Sequence, residues 1–307
     1  MLKFEVTILG CGSALPTTKH NQTSQVINFR EKLFMIDCGE GTQLQFRKAK
    51  FKFSRLGHIF ISHLHGDHCF GLIGLISTFA MLGRTADLNI HCPTGLKELM
   101  MPWIKFFCKD NPFWIEFNEF DTKKREVIYE DKSLTVTTIP LKHRMPCAGF
   151  LFQEKERPHN INKEELDFYE VPTFEINRLR AGFDYITPEG KTIANSILTF
   201  APPKPRSYAY CSDTAYYEPI IEQIKGVDLL FHEATFASSE ALRAKQTQHS
   251  TAQEAATIAT KGEVKRLVIG HFSARYPDEE SLLNEALEVF PNADVADELK
   301  TFIIEEN

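Results

Sequence analysis

Three histidines and one aspartate fall within the six residues His63–His68, which read His-Leu-His-Gly-Asp-His. The segment directly follows the largely apolar run His58–Ser62, whose composition predicts a β-strand. Imidazole nitrogen and carboxylate oxygen are the ligands that borderline cations such as zinc prefer. Side chains alternate along an extended chain, so the first two histidines share one side, and the bend at Gly66 turns the aspartate and the last histidine to another. The loop therefore predicts a metal site, and its geometry suits two ions better than one.

A dinuclear centre needs more ligands than one loop can supply. Three later residues of ligand type each follow an apolar strand candidate, namely His143, Asp213 and His271. Loops at the ends of neighbouring strands can converge at one rim of a sheet. We therefore expect these three side chains to complete the metal site. Asp37, at a strand end before a glycine turn, is expected to brace a ligand or a loop.

The composition is that of an ordinary globular protein, with 43% hydrophobic and 25% charged residues among 307. The net charge of −6 gives no global basic field, so a nucleic-acid partner would have to be held by a local patch. The seven cysteines are odd in number and never spaced as Cys-x-x-Cys, which favours free thiols in a reducing cytoplasm. The longest apolar run, 70–82, is too short to span a bilayer. These features predict a cytoplasmic protein without a membrane segment.

Short β-branched or aromatic runs alternate with longer helical ones, which predicts an α/β fold. Early strand candidates follow one another, whereas later ones alternate with helices, as in two mixed β-sheets with helices packed outside. The strand candidates are Phe4–Leu9, Gln25–Phe29, Leu33–Asp37, His58–Ser62, Leu88–His91, Trp114–Phe117, Leu134–Ile139, Gly149–Phe152, Ser207–Cys211, Asp228–Phe231, Arg266–Ile269 and Thr301–Ile304. The helical candidates are Thr42–Lys50, Phe70–Met81, Gly95–Cys108, Glu218–Ile224, Ser250–Lys261 and Asp278–Phe290.

The segment 154–191 differs from its surroundings. It is polar, contains three prolines and offers no convincing strand, although Lys163–Tyr169 and Phe174–Arg180 each predict a short helix. A stretch of this length between two strand candidates indicates an inserted arm rather than part of the core. A disordered linker is the alternative, against which stand four aromatic residues that favour packing, Phe168, Tyr169, Phe174 and Phe183.

The ligand positions, spaced as His63-x-His65-x-Asp67-His68 with His143, Asp213 and His271, resemble those of the metallo-β-lactamase fold superfamily. Within it, the chain is similar to the ribonuclease Z family of tRNA 3′-processing endoribonucleases. Five further segments carry this resemblance: Leu9–Ser13, Ile36–Thr42, His232–Phe236, His249–Thr251 and Gly270–Tyr276. The ligand segments specify only the superfamily, whereas His232–Phe236 and His249–Thr251 narrow it to this family.

The resemblance implies an αββα sandwich of two mixed sheets, a single domain over 1–307 with the metals at one edge between the sheets. The implied cofactor is zinc, two ions per subunit, one held by His63, His65 and His143, the other by Asp67, His68 and His271, with Asp213 bridging. The segment 154–191 would be the family's inserted flexible arm, a candidate tRNA-binding exosite. The implied partners are precursor tRNA and, in a homodimer, a second subunit.

The implied reaction removes the 3′ trailer from precursor tRNA and leaves a 3′-hydroxyl on the tRNA. A hydroxide shared between two zinc ions has a lowered pKa and can attack phosphorus in line. Asp67 is expected to orient that water and accept its proton. His249 is the candidate acid for the departing ribose oxygen, with Glu233 orienting its other ring nitrogen. A structural alternative for His249 is a histidine beside the N-cap of the helix candidate 250–261.

The first loop, Pro16–Asn21, departs from the family pattern. Many relatives carry Pro-x-Lys-x-Arg-Asn there, where the basic side chains meet the RNA end. In this chain Thr18 and His20 stand at the basic positions. Lys19 and Asn21 are therefore the candidate substrate-binding residues of this loop.

The arm also departs from the family pattern, because it lacks the Gly-Pro motif of bacterial relatives. Residues 154–191 hold six Lys/Arg against nine Asp/Glu. Since cations must be placed to contact phosphates, Arg178 and Arg180 are the candidate substrate-binding residues of the arm.

Three alternatives to a tRNA endonuclease are open at this point. The same dinuclear chemistry would serve a phosphodiesterase of small diesters. A lactamase-like or thioesterase-like hydrolase fits less well, because a bridging carboxylate suits phosphoesters. The arm could instead dock a protein, which would make the chain a binding module with a relic metal site.

Overall fold

A computed structural model describes residues 2–306, so Met1 and Asn307, the end residues of the predicted domain, lie outside the described residues. The strands are β1 (Phe4–Gly10), β2 (Ser24–Phe29), β3 (Lys32–Ile36), β4 (Leu56–Phe60), β5 (Leu88–Pro93), β6 (Ile115–Phe120), β7 (Val127–Glu130), β8 (Leu134–Pro140), β9 (Ala148–Glu154), β10 (Asn160–Ile161), β11 (Tyr185–Ile186), β12 (Thr192–Ile193), β13 (Thr199–Phe200), β14 (Ser207–Cys211), β15 (Leu229–Glu233), β16 (Leu267–Gly270), β17 (Ala293–Val295) and β18 (Thr301–Ile303). The helices are α1 (Thr42–Lys48), α2 (Gly66–Cys69), α3 (Gly71–Met81), α4 (Leu96–Phe107), α5 (Lys163–Phe168), α6 (Ile176–Arg180), α7 (Asn195–Leu198), α8 (Ala241–Thr247), α9 (Ala252–Lys261) and α10 (Glu280–Val289).

The chain divides into two compact units. The main unit comprises the residues up to Glu130 together with Thr135–Gln153 and Arg206–Glu305. The second unit comprises Asp131–Leu134, Glu154–Pro205 and Glu306.

The main unit contains two seven-stranded mixed sheets. The first has the strand order β18-β1-β2-β3-β4-β5-β6, antiparallel as far as β3 and parallel beyond it. The second has the order β17-β16-β15-β14-β9-β8-β7, with β14 to β17 parallel and β9 antiparallel to β14. The expected pair of mixed β-sheets is therefore confirmed.

Alternation along β4 explains how the first sheet serves two layers. The Phe60 ring lies 5.6 Å from that of Phe150 on the second sheet. Its neighbour Ile59 belongs to the apolar cluster that includes Leu72 and Leu75 of α3. Successive strand residues point to opposite faces, so one face of the strand meets the other sheet and the opposite face meets helices.

Helix α3 follows directly from its apolar spacing. Leu72, Leu75, Ile76 and Phe79 recur at intervals of three and four and are all buried. A side chain at Gly71 would meet the carbonyl oxygen of Gly39 at 2.0 Å, so only glycine allows this helix to begin so close to the loop after β3. That close approach holds the loop carrying Asp37 against the end of the His63–His68 segment.

The second unit has its own small core. Its centre consists of five buried side chains, Leu166, Leu179, Tyr185, Ile193 and Leu198. Tyr185 and Ile193 lie on the short antiparallel pair β11 with β12, and a second such pair joins β10 to β13. The prediction that 154–191 contains no strand is therefore wrong, and the unit continues to Pro205. The packed core also argues against a disordered linker.

Most of the predicted elements are present within a few residues of their expected bounds. Sequence reasoning missed β7, β17 and α8, which are short and only partly buried. All seven cysteines are free and buried, as expected for thiols. No helix among residues 2–306 is long and apolar enough to cross a membrane.

Candidate active site

The seven predicted metal ligands come together at one edge of the two sheets of the main unit. The loop after β4 supplies four of them, the loop between β8 and β9 supplies His143, and the turns after β14 and β16 supply Asp213 and His271. Asp213 and His271 adopt left-handed backbone conformations, with φ of 56° and 62°. Non-glycine residues rarely hold this conformation, and such strain concentrates at functional sites.

Four of these residues form the first group of metal-ligand geometry, His63, His65, His143 and Asp213. His65 Nδ1 lies 2.9 Å from His63 Nε2 and 3.4 Å from His143 Nε2. Asp213 Oδ2 lies 3.6 Å from His63 Nε2 and 3.7 Å from His143 Nε2. Separations of this size are those of atoms around one small cation.

The second group consists of Asp67, His68 and His271. Asp67 Oδ2 lies 3.4 Å from His68 Nε2 and 3.6 Å from His271 Nε2. The other oxygen of Asp213, Oδ1, lies 3.1 Å from His68 Nε2 and 3.2 Å from His271 Nε2. Asp213 thus directs one oxygen to each group, which is the arrangement of a bridging carboxylate.

The Nδ1 atoms of four imidazoles have partners outside the two groups. His68 Nδ1 lies 2.7 Å from Asp37 Oδ2, and His63 Nδ1 lies 3.0 Å from the hydroxyl of Ser62. His143 Nδ1 donates to the carbonyl of Gln248 at 3.0 Å, and His271 Nδ1 lies 2.9 Å from the hydroxyl of Thr235. Such contacts fix the ring orientation and direct Nε2 toward the centre.

Asp37 braces this edge of the sandwich, as the sequence predicts. Besides His68, its carboxylate accepts hydrogen bonds from the backbone and hydroxyl of Ser62 at 2.8 and 2.9 Å and from the hydroxyl of Tyr210 at 2.7 Å. Tyr210 belongs to β14 of the opposite sheet, so one buried carboxylate ties both sheets to a candidate ligand.

Several buried groups of the site suit a cation, and one of them would release a proton on binding it. Burial lowers the pKa of His68, but the Asp213 and Asp37 carboxylates outweigh it and raise the pKa well above its usual value. The Nε2 atoms of His68 and His271 are buried and make no hydrogen bond, although Asp213 Oδ1 lies within 3.2 Å of each. A cation would supply the partner that these buried atoms lack.

Burial lowers the pKa of His63 well below its usual value and also lowers that of His143, so both rings are neutral ligands at neutral pH. Burial alone would raise the pKa of Asp67, but the neighbouring His68 holds it below its usual range.

His249 pairs with Glu233 beside the two groups, and it also lies in ligand geometry with Asp213 and His271. His249 Nδ1 lies 2.8 Å from Glu233 Oε1, and its ring stacks on that of His271 with 5.3 Å between centroids. Burial lowers the pKa of His249, but the Glu233 carboxylate outweighs it and raises the pKa to about 9. With Nδ1 engaged by Glu233, Nε2 is the nitrogen left to meet a substrate.

The four predicted substrate-binding residues each have a partner within their own unit. Lys19 forms an ion pair with Glu279 at 2.6 Å, and the backbone NH of Asn21 donates to Glu298 at 2.8 Å. In the second unit, Arg178 pairs with Glu175 at 3.2 Å, and the carbonyl of Arg180 accepts from His159. In the main unit, a cleft of about 480 Å³ is lined by His65, Asp67, Asp213 and His271 but by neither Lys19 nor Asn21.

Three arginines that sequence reasoning left without a role line this cleft, namely Arg144, Arg243 and Arg275. All three are exposed. Arg275 pairs with Glu240 at 3.3 Å and stacks over the Phe236 ring. Two of these arginines could have been predicted from their closeness in sequence to candidate ligands. Arg144 follows His143 directly, and Arg275 follows His271 by four residues. Arg243 offers no comparable signal.

Comparison with known proteins places this site in a family. A family model described as Anti-Pycsar protein Apyc1 matches residues 4–156. Ribonuclease Z of Bacteroides fragilis (strain YCH46) is 63% identical over 298 residues, 97% of this chain and 98% of that protein. Ribonuclease Z of Phocaeicola vulgatus is 61% identical over 305 residues, 99% of each.

Among solved structures, the short form of human tRNase Z matches with a TM-score of 0.70 at 24% identity, covering 98% of this chain and 99% of that chain. The metallo-β-lactamase fold protein YhfI of Bacillus subtilis matches with a TM-score of 0.68 at 16% identity, covering 98% and 99%. The paired mixed sheets and these likenesses define a metallo-β-lactamase fold protein. The identity to curated relatives over nearly their whole length goes further, and the chain belongs to the ribonuclease Z family. The predicted fold, family and endoribonuclease class are thereby confirmed.

Proposed function

We propose that this protein is a zinc-dependent endoribonuclease that removes the 3′ trailer from precursor tRNA and leaves a 3′-hydroxyl on the tRNA. The bridging geometry of Asp213, one oxygen toward each histidine group, is the observation that carries the dinuclear assignment. One zinc ion would be held by His63, His65 and His143, and the other by Asp67, His68 and His271. When bound, the two ions would lower the pKa of a shared water and neutralise charge on the phosphodiester.

Two side chains of the protein then accept and donate the protons of the reaction. Asp67, ionised and facing both His68 and His271, orients the attacking water and accepts its proton. His249, held protonated by the buried Glu233, donates a proton to the departing ribose oxygen. Glu233 orients His249 and keeps it protonated. Its carboxylate is itself held in place, because it accepts hydrogen bonds from the backbone NH groups of Thr214 and Ser250 at 2.7 and 3.1 Å.

Precursor tRNA is the substrate proposed for this site. Support comes from relatives named ribonuclease Z and from a structural neighbour, the short form of human tRNase Z. Within the cleft, Arg144, Arg243 and Arg275 offer guanidinium groups to the phosphates on either side of the scissile bond. These three residues give the local basic patch that the net charge of −6 makes necessary.

We propose that residues 1–307 form a single metallo-β-lactamase-like domain. Its inserted segment 154–191 is proposed to contact the tRNA away from the cleavage site. Arg178 and Arg180 supply its cations, with Arg178 in the ion pair to Glu175 described above. Lys19 and Asn21 of the first loop are proposed as further substrate contacts. We also propose a homodimer in the cytoplasm, as the family resemblance implies.

The decisive experiment compares three substrates with and without a chelator. These are a precursor tRNA with a 3′ trailer, the same tRNA without the trailer, and bis-p-nitrophenyl phosphate. We expect endonucleolytic cleavage of the precursor alone among the RNAs, loss of activity on chelation and recovery with zinc. Hydrolysis of the small diester without cleavage of the precursor would contradict the tRNA assignment and favour the phosphodiesterase alternative.

A further inference from the structure

A second cluster of ligand-type side chains, remote from the two histidine groups, lies behind the first loop. Cys11, His20 and Glu298 bring a thiol, an imidazole and a carboxylate within 4.8 Å of one another. The Cys11 Sγ lies 3.3 Å from His20 Nδ1, which in turn lies 2.9 Å from Glu298 Oε2. The cluster draws on three separate parts of the chain, the end of β1, the first loop and the segment before β18.

These distances suit a small thiophilic cation. A tetrahedral zinc ion, with Zn–S of about 2.3 Å and Zn–N of about 2.0 Å, sets sulfur and nitrogen roughly 3.5 Å apart. The observed sulfur–nitrogen separation of 3.3 Å needs only a small expansion to meet this value. The side chains of His20 and Glu298 are 9% and 13% exposed, so an ion can enter from solvent.

The surroundings of the cluster resemble those of known ligand histidines. His20 Nε2 lies 2.7 Å from Glu279 Oε1, which gives the imidazole a carboxylate partner on the nitrogen that faces away from the cluster. Glu298 is fixed in turn, because its Oε1 accepts the backbone NH of Asn21 at 2.8 Å. Lys19 balances the charge of Glu279 at 2.6 Å.

We propose that Cys11, His20 and Glu298 form a third zinc site, separate from the catalytic cleft, with one coordination position left for water. Binding displaces the proton of the Cys11 thiol and any proton shared by His20 and Glu298, so zinc affinity at this site rises with pH. The thiolate and the Glu298 carboxylate neutralise the ion, and Glu279 remains balanced by Lys19.

The site has a structural consequence for the cleft. Ser13, which lines the cleft, donates its backbone NH to Phe272 at 3.0 Å, and Phe272 donates to the carbonyl of Cys11 at 2.8 Å. A metal ion on Cys11 therefore fixes the backbone that carries the rim of the cleft next to His271. The inferred role is to order the first loop before RNA arrives.

Cobalt substitution tests the site with a signal that the catalytic groups cannot give. The two catalytic groups contain only histidine and aspartate, whereas a thiolate bound to Co²⁺ absorbs in the near ultraviolet. Full-length protein stripped of metal and titrated with Co²⁺ should develop this charge-transfer band. Cys11→Ala should lose it together with one equivalent of bound metal, and Cys92→Ala, which removes another buried thiol, should keep both.

A second variant guards against misfolding of Cys11→Ala. His20→Gln retains the thiol. It should raise the Co²⁺ concentration at which the cobalt–thiolate band is half developed by at least tenfold, while the far-ultraviolet circular dichroism spectrum stays unchanged. Absence of the band in the wild-type protein, or a band and metal content that persist in Cys11→Ala, would overturn the proposal. These readouts do not depend on RNA cleavage, so they stand apart from the proposed tRNA activity.

Discussion

Nδ1 of His249 lies 2.8 Å from Oε1 of Glu233, a carboxylate with no exposed surface. Glu233 also accepts a hydrogen bond from the Thr235 hydroxyl at 2.6 Å, and that hydroxyl contacts His271 Nδ1 at 2.9 Å. One buried carboxylate thus orients the candidate acid and, through Thr235, a candidate ligand. Because His249 itself lies in ligand geometry with Asp213 and His271, Glu233 holds a protonated ring directly beside the candidate ligands.

Replacing His249 by alanine should separate two activities. Cleavage of precursor tRNA should fall by about 100-fold or more, because the departing ribose oxygen needs a proton. Hydrolysis of bis-p-nitrophenyl phosphate should fall much less, because its leaving group is stable as an anion. Initial rates on both substrates, together with zinc content, measure this split.

Glu254→Gln is the matched control for His249→Ala. Glu254 closes the capping box with Thr251 at the start of α9, a few residues after His249 in the chain. It should leave both rates near those of the wild-type protein. Loss of zinc in His249→Ala would show that His249 is a ligand rather than an acid.

Asp213→Asn should reduce the metal content more than His65→Ala. Asp213 directs an oxygen to each group, whereas His65 belongs only to the first. We expect His65→Ala to lose about one zinc ion and Asp213→Asn to weaken both sites. Elemental analysis after dialysis against a weak chelator measures the difference, and two retained ions in Asp213→Asn would contradict the bridging role.

Asp37→Asn should weaken zinc binding without touching a ligand. Partners of ligand histidines typically contribute about 10–100-fold in metal affinity, and Asp37 holds His68 at 2.7 Å. Competition with a chelating dye measures the shift. Asp228→Asn is the control, because Asp228 likewise accepts from a backbone NH and a hydroxyl, those of Ser207 at 2.7 and 3.0 Å, away from the site. Equal affinities in the two variants would refute the bracing role.

Arg243→Ala should weaken RNA binding in a salt-dependent manner. If Arg243 contacts a phosphate, its removal makes the negative slope of log K against log salt shallower by about 1. Binding of precursor tRNA to a chelated, inactive enzyme at several salt concentrations measures the slope. Arg55→Ala removes an exposed arginine that pairs with Glu31 outside the cleft and should leave the slope unchanged.

His91 predicts a pH dependence of stability. Burial lowers the pKa of His91 to about 3, and its ring stacks on Phe60 with 4.5 Å between centroids. Between pH 6.5 and 3 the unfolded chain binds a proton that the folded protein does not, so stability falls with falling pH by about 1.4 kcal/mol per unit. His91→Phe should remove this contribution, as urea unfolding of metal-free protein at pH 7 and pH 5 would measure. An unchanged pH slope would contradict it.

The sequence was most informative where ligands cluster at strand ends. The run at 63–68, with single ligand-type residues after three later strands, was enough to predict which side chains meet, because strand ends of a sheet share a rim. Arg243 could not be predicted, since it lies on α8, a short helix with a single buried residue and no ligand nearby in sequence. The strands of the second unit have two residues each, too few for alternation to be visible.

Strands β9 and β14 pair antiparallel, with Gln153 opposite Ser207, so the segment Glu154–Pro205 leaves and rejoins the main unit at one paired position of the second sheet. The candidate ligands lie at the other ends of the same two strands, His143 before β9 and Asp213 after β14. The segment between these strands can therefore become longer or shorter in evolution without a change in the positions of the candidate ligands. A tight turn joining Gln153 to Arg206 would close the ladder as a simple hairpin.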